Sequence, residues 1–310
     1  MSLSIRPLHP SIGAEVRGID LRQPLSLAEV AAIEAGMDRH AVLVFPGQPL
    51  DDAQQLAFSR NFGEIELSVA GDLQKPAEKR LGIEFADVSN LDRDHAIKAR
   101  DDRHRLFALG NRLWHSDSSF RAVPAKYSIL SGRIVPSRGG DTEFADLRMA
   151  WEALPDWRKR QVEPLAAVHY ALHSRFMLGD THYTPEQRDA IKPAVWPLVQ
   201  TDPRSGRKIL FVGIHACEIP GMPLPEARLL LLDLLEHATQ REFIYRHQWR
   251  VGDLVMWDNT ATLHRGRHFD VSQRRELRRA TTEEVGLSPD AESLAARGAD
   301  QIAQYRYQTA

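Results

Sequence analysis

Apolar and polar positions change period several times along the chain, and each change marks an element. Val30, Ile33 and Met37 recur at helical spacing behind Ser26 and Glu29, which are placed as a capping box. Residues 27–40 are therefore expected to be a helix. AVLVF at 41–45 is a short apolar run closed by Pro46-Gly47, as a buried strand would be. DDAQQLAFSRNF at 51–62 returns to helical spacing and stops at Gly63. Strands are expected at 127–135, 208–214, 253–259, 261–267 and 274–282, where the pattern alternates or is briefly all apolar. A helical pattern at 147–163 is interrupted by Pro155. Residues 223–240 give the clearest helix, with Leu229, Leu232 and Leu235 as its apolar stripe, and 288–305 reads as a polar C-terminal helix.

Residues 68–110 break the pattern, with many charges and little periodicity. A long irregular stretch inside a compact protein is usually functional, so this segment is read as a lid. Strands flank central helices instead of alternating with them, which disfavours a doubly wound parallel sheet. The expectation is a mainly β fold with helical insertions and a jelly-roll core, in a single domain spanning 1–310.

Composition narrows the function classes. With 43% hydrophobic and 26% charged residues and a net charge of −2, nothing global calls for nucleic acid or an anionic membrane. The single cysteine, Cys217, excludes an internal disulfide and a multi-cysteine zinc site, and it fits a reducing compartment. MSLSIRPLHPSIG lacks the apolar core of a signal peptide, and LLLLDLL at 229–235 is too short to span a bilayer. A cytoplasmic location without a membrane partner is expected.

The candidate chemistry begins at LWHSDSSF, residues 113–120. On a strand, residues i and i+2 point to one face about 6.7 Å apart, so His115 and Asp117 can converge on one point. Such a pair holds a divalent metal or simply hydrogen-bonds. His264, after the strand pair DLVMW and ATLH, offers a third ligand. A 2-His-1-carboxylate set leaves open positions that suit Fe(II), more than a structural zinc that wants four protein ligands. In RRELRRATT, period-2 alternation places Arg275, Leu277 and Arg279 on one face and sends Arg274 and Arg278 toward solvent. Inward guanidiniums call for anions, and arginine suits bidentate carboxylate binding. A basic edge strand would read the same way. A nucleic-acid patch is disfavoured because the run lacks interleaved aromatics.

VLVFPGQPL, FSRNFG, NRLWHSDSSF, GGDTEFADLR, HYALHSRFMLGDT, LLEHATQREFIYRH, GDLVMWDN and LHRGR…RRELRRATT together resemble one family across residues 5–283. It is the taurine dioxygenase / 2,4-dichlorophenoxyacetate dioxygenase family of Fe(II)- and 2-oxoglutarate-dependent oxygenases, and the likeness is closest to its 2,4-dichlorophenoxyacetate branch. The resemblance implies that His115, Asp117 and His264 hold iron. It implies that Arg275 and Thr142 hold the distal carboxylate of 2-oxoglutarate and that Trp249 lines that pocket. Arg279 and Asn111 match positions facing a substrate anion. The charged segment departs from the family pattern, and Lys98, with Lys75 and Lys79, is a candidate for the substrate carboxylate by sequence proximity alone.

The implied activity is hydroxylation of the carbon beside the carboxylate of an aryloxyacetate-type acid. The products are a phenol, glyoxylate, succinate and carbon dioxide. Fe(II), 2-oxoglutarate and O2 are the implied cofactors, with ascorbate in support. The same chemistry on taurine or another organic acid is one alternative, and a non-catalytic jelly-roll binding protein is another. The expected partner is a small-molecule carboxylate, and a homo-oligomer is left open.

Overall fold

In the structure, a computed structural model describing residues 3–67 and 79–284, unbroken apolar runs become strands buried on both faces. The chain forms β1 (Ser4–Pro7), β2 (Ala14–Arg17), α1 (Leu27–His40), β3 (Val42–Phe45) and α2 (Asp52–Ser59). Then come β4 (Ala86–Ser89), α3 (Arg103–Ala108), β5 (Ala125–Ile134), β6 (Thr142–Asp146), α4 (Leu147–Ala153) and α5 (Asp156–Val162). A smaller layer holds β7 (Ala166–His169), α6 (His173–Met177), α7 (Pro185–Ala190), β8 (Ala194–Pro197), β9 (Val199–Thr201), β10 (Lys208–Leu210) and β11 (Ala216–Glu218). The chain continues through α8 (Leu224–Ala238), β12 (Ile244–His247), β13 (Leu254–Asp258), β14 (Thr262–Gly266) and β15 (Glu276–Glu283).

A seven-stranded sheet runs β1-β2-β3-β13-β5-β15-β4, facing a three-stranded sheet, β12-β6-β14. Together they make the jelly-roll core. Strand alternation explains the two-sided burial. Val42, Val44, Leu130, Val255, Trp257 and Leu277 point inward and meet Phe144 of the small sheet. Their neighbours Leu43, Phe45, Ile129, Leu254 and Met256 point outward and are covered by Ile33 and Met37 of α1 and Phe58 of α2. Each such fully buried side chain contributes about 1.5–3 kcal/mol.

Local signals set the helix ends. Glu29 N donates to Ser26 Oγ at 3.3 Å and Ser26 N donates to Glu29 Oε2 at 2.8 Å, the capping box that starts α1. The helix at 51–62 tightens after Ser59 into a 3-10 turn, Arg60–Phe62, and Pro155 separates α4 from α5.

Several expectations need correction. In α8 the buried stripe is Ala227, Leu230, Leu231, Leu234 and Ala238, whereas Leu229 and Leu232 are 64% and 48% exposed. An unbroken LLLL run carries no phase, so the stripe was assigned one residue off. The strand expected at 208–214 ends at Leu210; Ile214 N turns away to donate to Trp114 O at 2.9 Å. Within the segment read as irregular, Ala86–Ser89 pairs with β15 as an edge strand. Arg278 does not run to solvent, because its guanidinium pairs with Asp52 and Glu276. Residues 68–78 and the helix expected at 288–305 lie outside the described residues, as does Lys75.

Candidate active site

His115 and Asp117 do not sit on a strand. His115 forms an isolated antiparallel bridge with His264 of β14, and Asp117 follows in a turn. His115 N donates to His264 O at 3.0 Å, and His264 N donates to His115 O at 2.8 Å. Backbone pairing thus brings together residues 149 positions apart that no local signal links. The ligand atoms of His115, Asp117 and His264 all lie within 4.8 Å of one another, and all three residues are buried.

The protonation states suit a metal. Burial lowers the pKa of His115 and, more strongly, that of His264, so both imidazoles are neutral. Burial would raise the Asp117 carboxyl, but the Arg279 guanidinium beside it outweighs burial and, with the hydrogen bond from Ser128, holds the pKa at about 2. A divalent cation needs this combination, two neutral imidazoles and an ionised carboxylate. His115 Nδ1 lies 2.7 Å from Leu113 O; donation there leaves Nε2 as a lone pair toward Asp117.

A buried polar cluster orients the carboxylate. Ser128 Oγ donates to Asp117 Oδ2 at 2.7 Å and accepts from Asn259 Nδ2 at 2.9 Å. Asn259 Oδ1 accepts from Trp257 Nε1 at 2.9 Å and from Asp117 N at 3.2 Å. Ser128 and Asn259 were missed in the sequence; DLVMWDN contains the asparagine, but nothing local connects it to Asp117. Arg279 reaches the same centre, its Nη1 pairing with Asp117 Oδ1.

Arg275 lies just before β15, 8% exposed. Its Nη2 donates to Gly140 O at 3.0 Å and Nη1 to Val88 O at 3.4 Å, with no carboxylate in ion-pair contact among the described residues. Burial lowers its pKa to about 10 against the opposing pull of Asp141, leaving it a cation. Gly140 has φ +78°, and a Cβ there would lie 3.1 Å from Arg275 Nε. A buried guanidinium bonded only to carbonyls is a receptor for an anion. Thr142 and Trp249 are joined, Trp249 Nε1 donating to Thr142 Oγ1 at 2.9 Å, so the threonine hydroxyl keeps its own proton to donate.

A cavity of about 240 Å³ opens on His115 and Asp117. Its lining includes the predicted Asn111, Lys98, Lys79 and Arg279, but not Arg275, Thr142 or Trp249. It also includes Glu66, Phe107, Phe120, Arg175 and His215, none singled out in the sequence. Arg175 lies inside HYALHSRFMLGDT, where no spacing marks it. His215 is buried and held well below the usual histidine pKa by desolvation, with its ring edge-on to Phe120.

A family model described as taurine catabolism dioxygenase TauD, TfdA family matches residues 4–281. The chain is 54% identical over 282 residues to an alpha-ketoglutarate-dependent 2,4-dichlorophenoxyacetate dioxygenase of Cupriavidus pinatubonensis, covering 91% of this chain and 98% of that one. It is 35% identical over 274 residues to an (S)-phenoxypropionate/alpha-ketoglutarate-dioxygenase of Delftia acidovorans, covering 87% and 91%. The crystal structure of AAD-2 in complex with Mn(II) and N-oxalylglycine superposes with a TM-score of 0.90 at 48% identity, covering 93% of this chain and 100% of that one.

Proposed function

The chain belongs to the taurine catabolism dioxygenase TauD, TfdA family, and from that premise we propose that it oxidises aryloxyacetate-type acids at the carbon beside the carboxylate. It is a 2-oxoglutarate-dependent non-haem iron dioxygenase, and its substrate is a small molecule. The observation that carries the reading is an ionised Asp117 between two neutral histidines, opening on a cavity large enough for one aromatic acid.

Iron(II) held by His115, Asp117 and His264 supplies, with 2-oxoglutarate and O2, the oxidising power for C–H hydroxylation, and ascorbate keeps it reduced. Arg275 pairs with the far carboxylate of 2-oxoglutarate, and Thr142 donates its free hydroxyl proton to the same group. Trp249 fixes the rotamer of Thr142. Arg279 keeps Asp117 ionised and presents its remaining donors to anions beside the metal. Asn111 and Lys98 flank the cavity on the substrate side. The chain works as one oxygenase domain, with residues 79–110 of the charged segment covering the cavity; residues 79–89 in its lining support this.

The overall balance is one aryloxyacetate, one 2-oxoglutarate and one O2 consumed. One oxygen atom enters succinate and the other hydroxylates the substrate. The resulting hemiacetal collapses to a phenol and glyoxylate, while carbon dioxide leaves from 2-oxoglutarate. The protein's part is positioning, with the target C–H held at the metal-facing end of the cavity.

Oxygen uptake by protein supplied with Fe(II), ascorbate and 2-oxoglutarate tests the reading, with aryloxyacetates, aryloxypropionates, cinnamate-like acids and taurine added singly. Phenol and succinate released in equal amounts from an aryloxyacetate are expected. Uptake stimulated only by taurine or another non-aryl acid would overturn the substrate class.

A further inference from the structure

We propose that Arg175 is the anchor for the substrate's carboxylate, a specificity-determining role carried by the cavity wall. The inference rests on the aryl-acid reading above and assigns the group that enforces it.

Arg175 belongs to α6, is 8% exposed, and lines the cavity together with Phe107, Phe120 and Ile191. Its guanidinium is under-used. Nη1 donates to Ser174 Oγ at 2.6 Å, Nε is buried with no hydrogen-bond partner, and no carboxylate forms an ion pair with it among the described residues. Two other arginines at the cavity differ in this respect. Arg80 is held by Asp87 and Glu276, and Arg279 by Asp117. Arg175 therefore brings a buried positive charge that Asp180 offsets only from beyond ion-pair distance, a costly arrangement that an incoming carboxylate relieves.

The group is also held in place before any ligand arrives. Its plane lies over Phe107, 4.1 Å from the ring centroid. On another side is Gly110, where a Cβ would stand 2.6 Å from Arg175 Cζ. A residue larger than glycine at 110 would displace the guanidinium, which accounts for the glycine beside Asn111. Arg175 shares the cavity lining with His115 and Asp117, so its charge faces the same space as the metal end. Aromatic walls with one pre-oriented cation fit a planar ring bearing an acid, and they leave a neutral analogue with an unmatched charge.

The test is calorimetric titration of the Mn(II)- and 2-oxoglutarate-loaded protein, in which no turnover occurs, with 4-chlorophenoxyacetate and with its neutral analogue 2-(4-chlorophenoxy)ethanol. Arg175→Gln is expected to weaken the acid on the order of 100-fold and the alcohol by less than about threefold, with 2-oxoglutarate affinity unchanged. Arg175→Lys should recover part of the acid affinity. Gly110→Ala, which keeps the charge but moves it, should resemble Arg175→Gln and carries the test if Arg175→Gln fails to fold. An unchanged ratio of acid to alcohol affinity in Arg175→Gln and Gly110→Ala would overturn the proposal while leaving the aryl-acid reading intact. If the unmutated protein ignores aryloxyacetates but binds another carboxylate or sulfonate in an Arg175-dependent way, the aryl-acid reading falls and the anchor stands. Binding of no acid at all would overturn both.

Discussion

Replacing Asn259 by leucine should damage the metal centre without touching a metal ligand. Asn259 is 1% exposed and serves three groups that are themselves buried. Its loss orphans the Trp257 indole N–H, bonded at 2.9 Å, and the Asp117 backbone N–H, bonded at 3.2 Å. It also removes the donor to Ser128 Oγ, freeing that hydroxyl to turn away from Asp117. A buried donor left unpaired costs about 1–3 kcal/mol. With the longer bond weighted low, the apoprotein should lose roughly 3 kcal/mol. For a chain of this size that lowers the melting midpoint by about 5 °C. Loosening a ligand's supporting partner should also weaken Mn(II) binding by roughly 10–100-fold. Leucine is the informative choice because it fills the space. Asn259→Ala leaves room for a water that can re-partner the orphaned donors, so alanine should be the milder change. Thermal melts of the apoproteins and calorimetric Mn(II) titrations measure both effects. A leucine variant as stable as the parent, or an alanine variant worse than leucine, would refute the reasoning.

Two further outcomes are expected. Arg275→Leu should raise the KM for 2-oxoglutarate about 100-fold while leaving Mn(II) affinity within threefold; equal losses of both would mean that Arg275 supports the fold and not the co-substrate. The Asp117 carboxyl is held at about 2 against an ordinary 3.8, so its contribution, about 2 kcal/mol, is present above 3.8 and is lost as pH falls through 3.8 toward 2. Apo Asp117→Asn should therefore show a flatter acid limb in urea midpoint against pH, and parallel curves for the two proteins would count against the assignment.

Elements with local chemistry were legible in the sequence. Ser26 and Glu29 announce α1 because a capping box closes within four residues, and Gly63 ends the helix before it because only backbone conformation is at stake. The triad was legible as residue types and Arg279 as a strand residue, whereas Arg275, expected on the same strand face, lies just before β15. The geometry was not. His115 sits on a single bridge and not on a strand, because its partner His264 arrives from far along the chain. Leu229 and Leu232 misled because four consecutive leucines carry no periodicity. Arg278 departs from the expectation because Asp52 of α2, 226 positions away, meets it. Asn259 and Ser128 are invisible for the same reason: Asn259 meets Asp117 and Ser128 from 142 and 131 positions away, and sequence spacing records neither contact.

The rung of backbone hydrogen bonds between His115 and His264 has a consequence for the order of assembly. The spacing of the two imidazoles is supported by a pair of backbone hydrogen bonds that use no metal-binding atom. Binding an ion then freezes few remaining torsions, so loading can follow folding and the ion is a replaceable part of a finished protein. A prebuilt face of two nitrogens and one oxygen is a poor judge of its occupant. Divalent ions later than iron in the first transition row bind such donors at least as tightly. The donor set alone therefore does not choose among these ions, and metal availability at loading weighs on which of them occupies it.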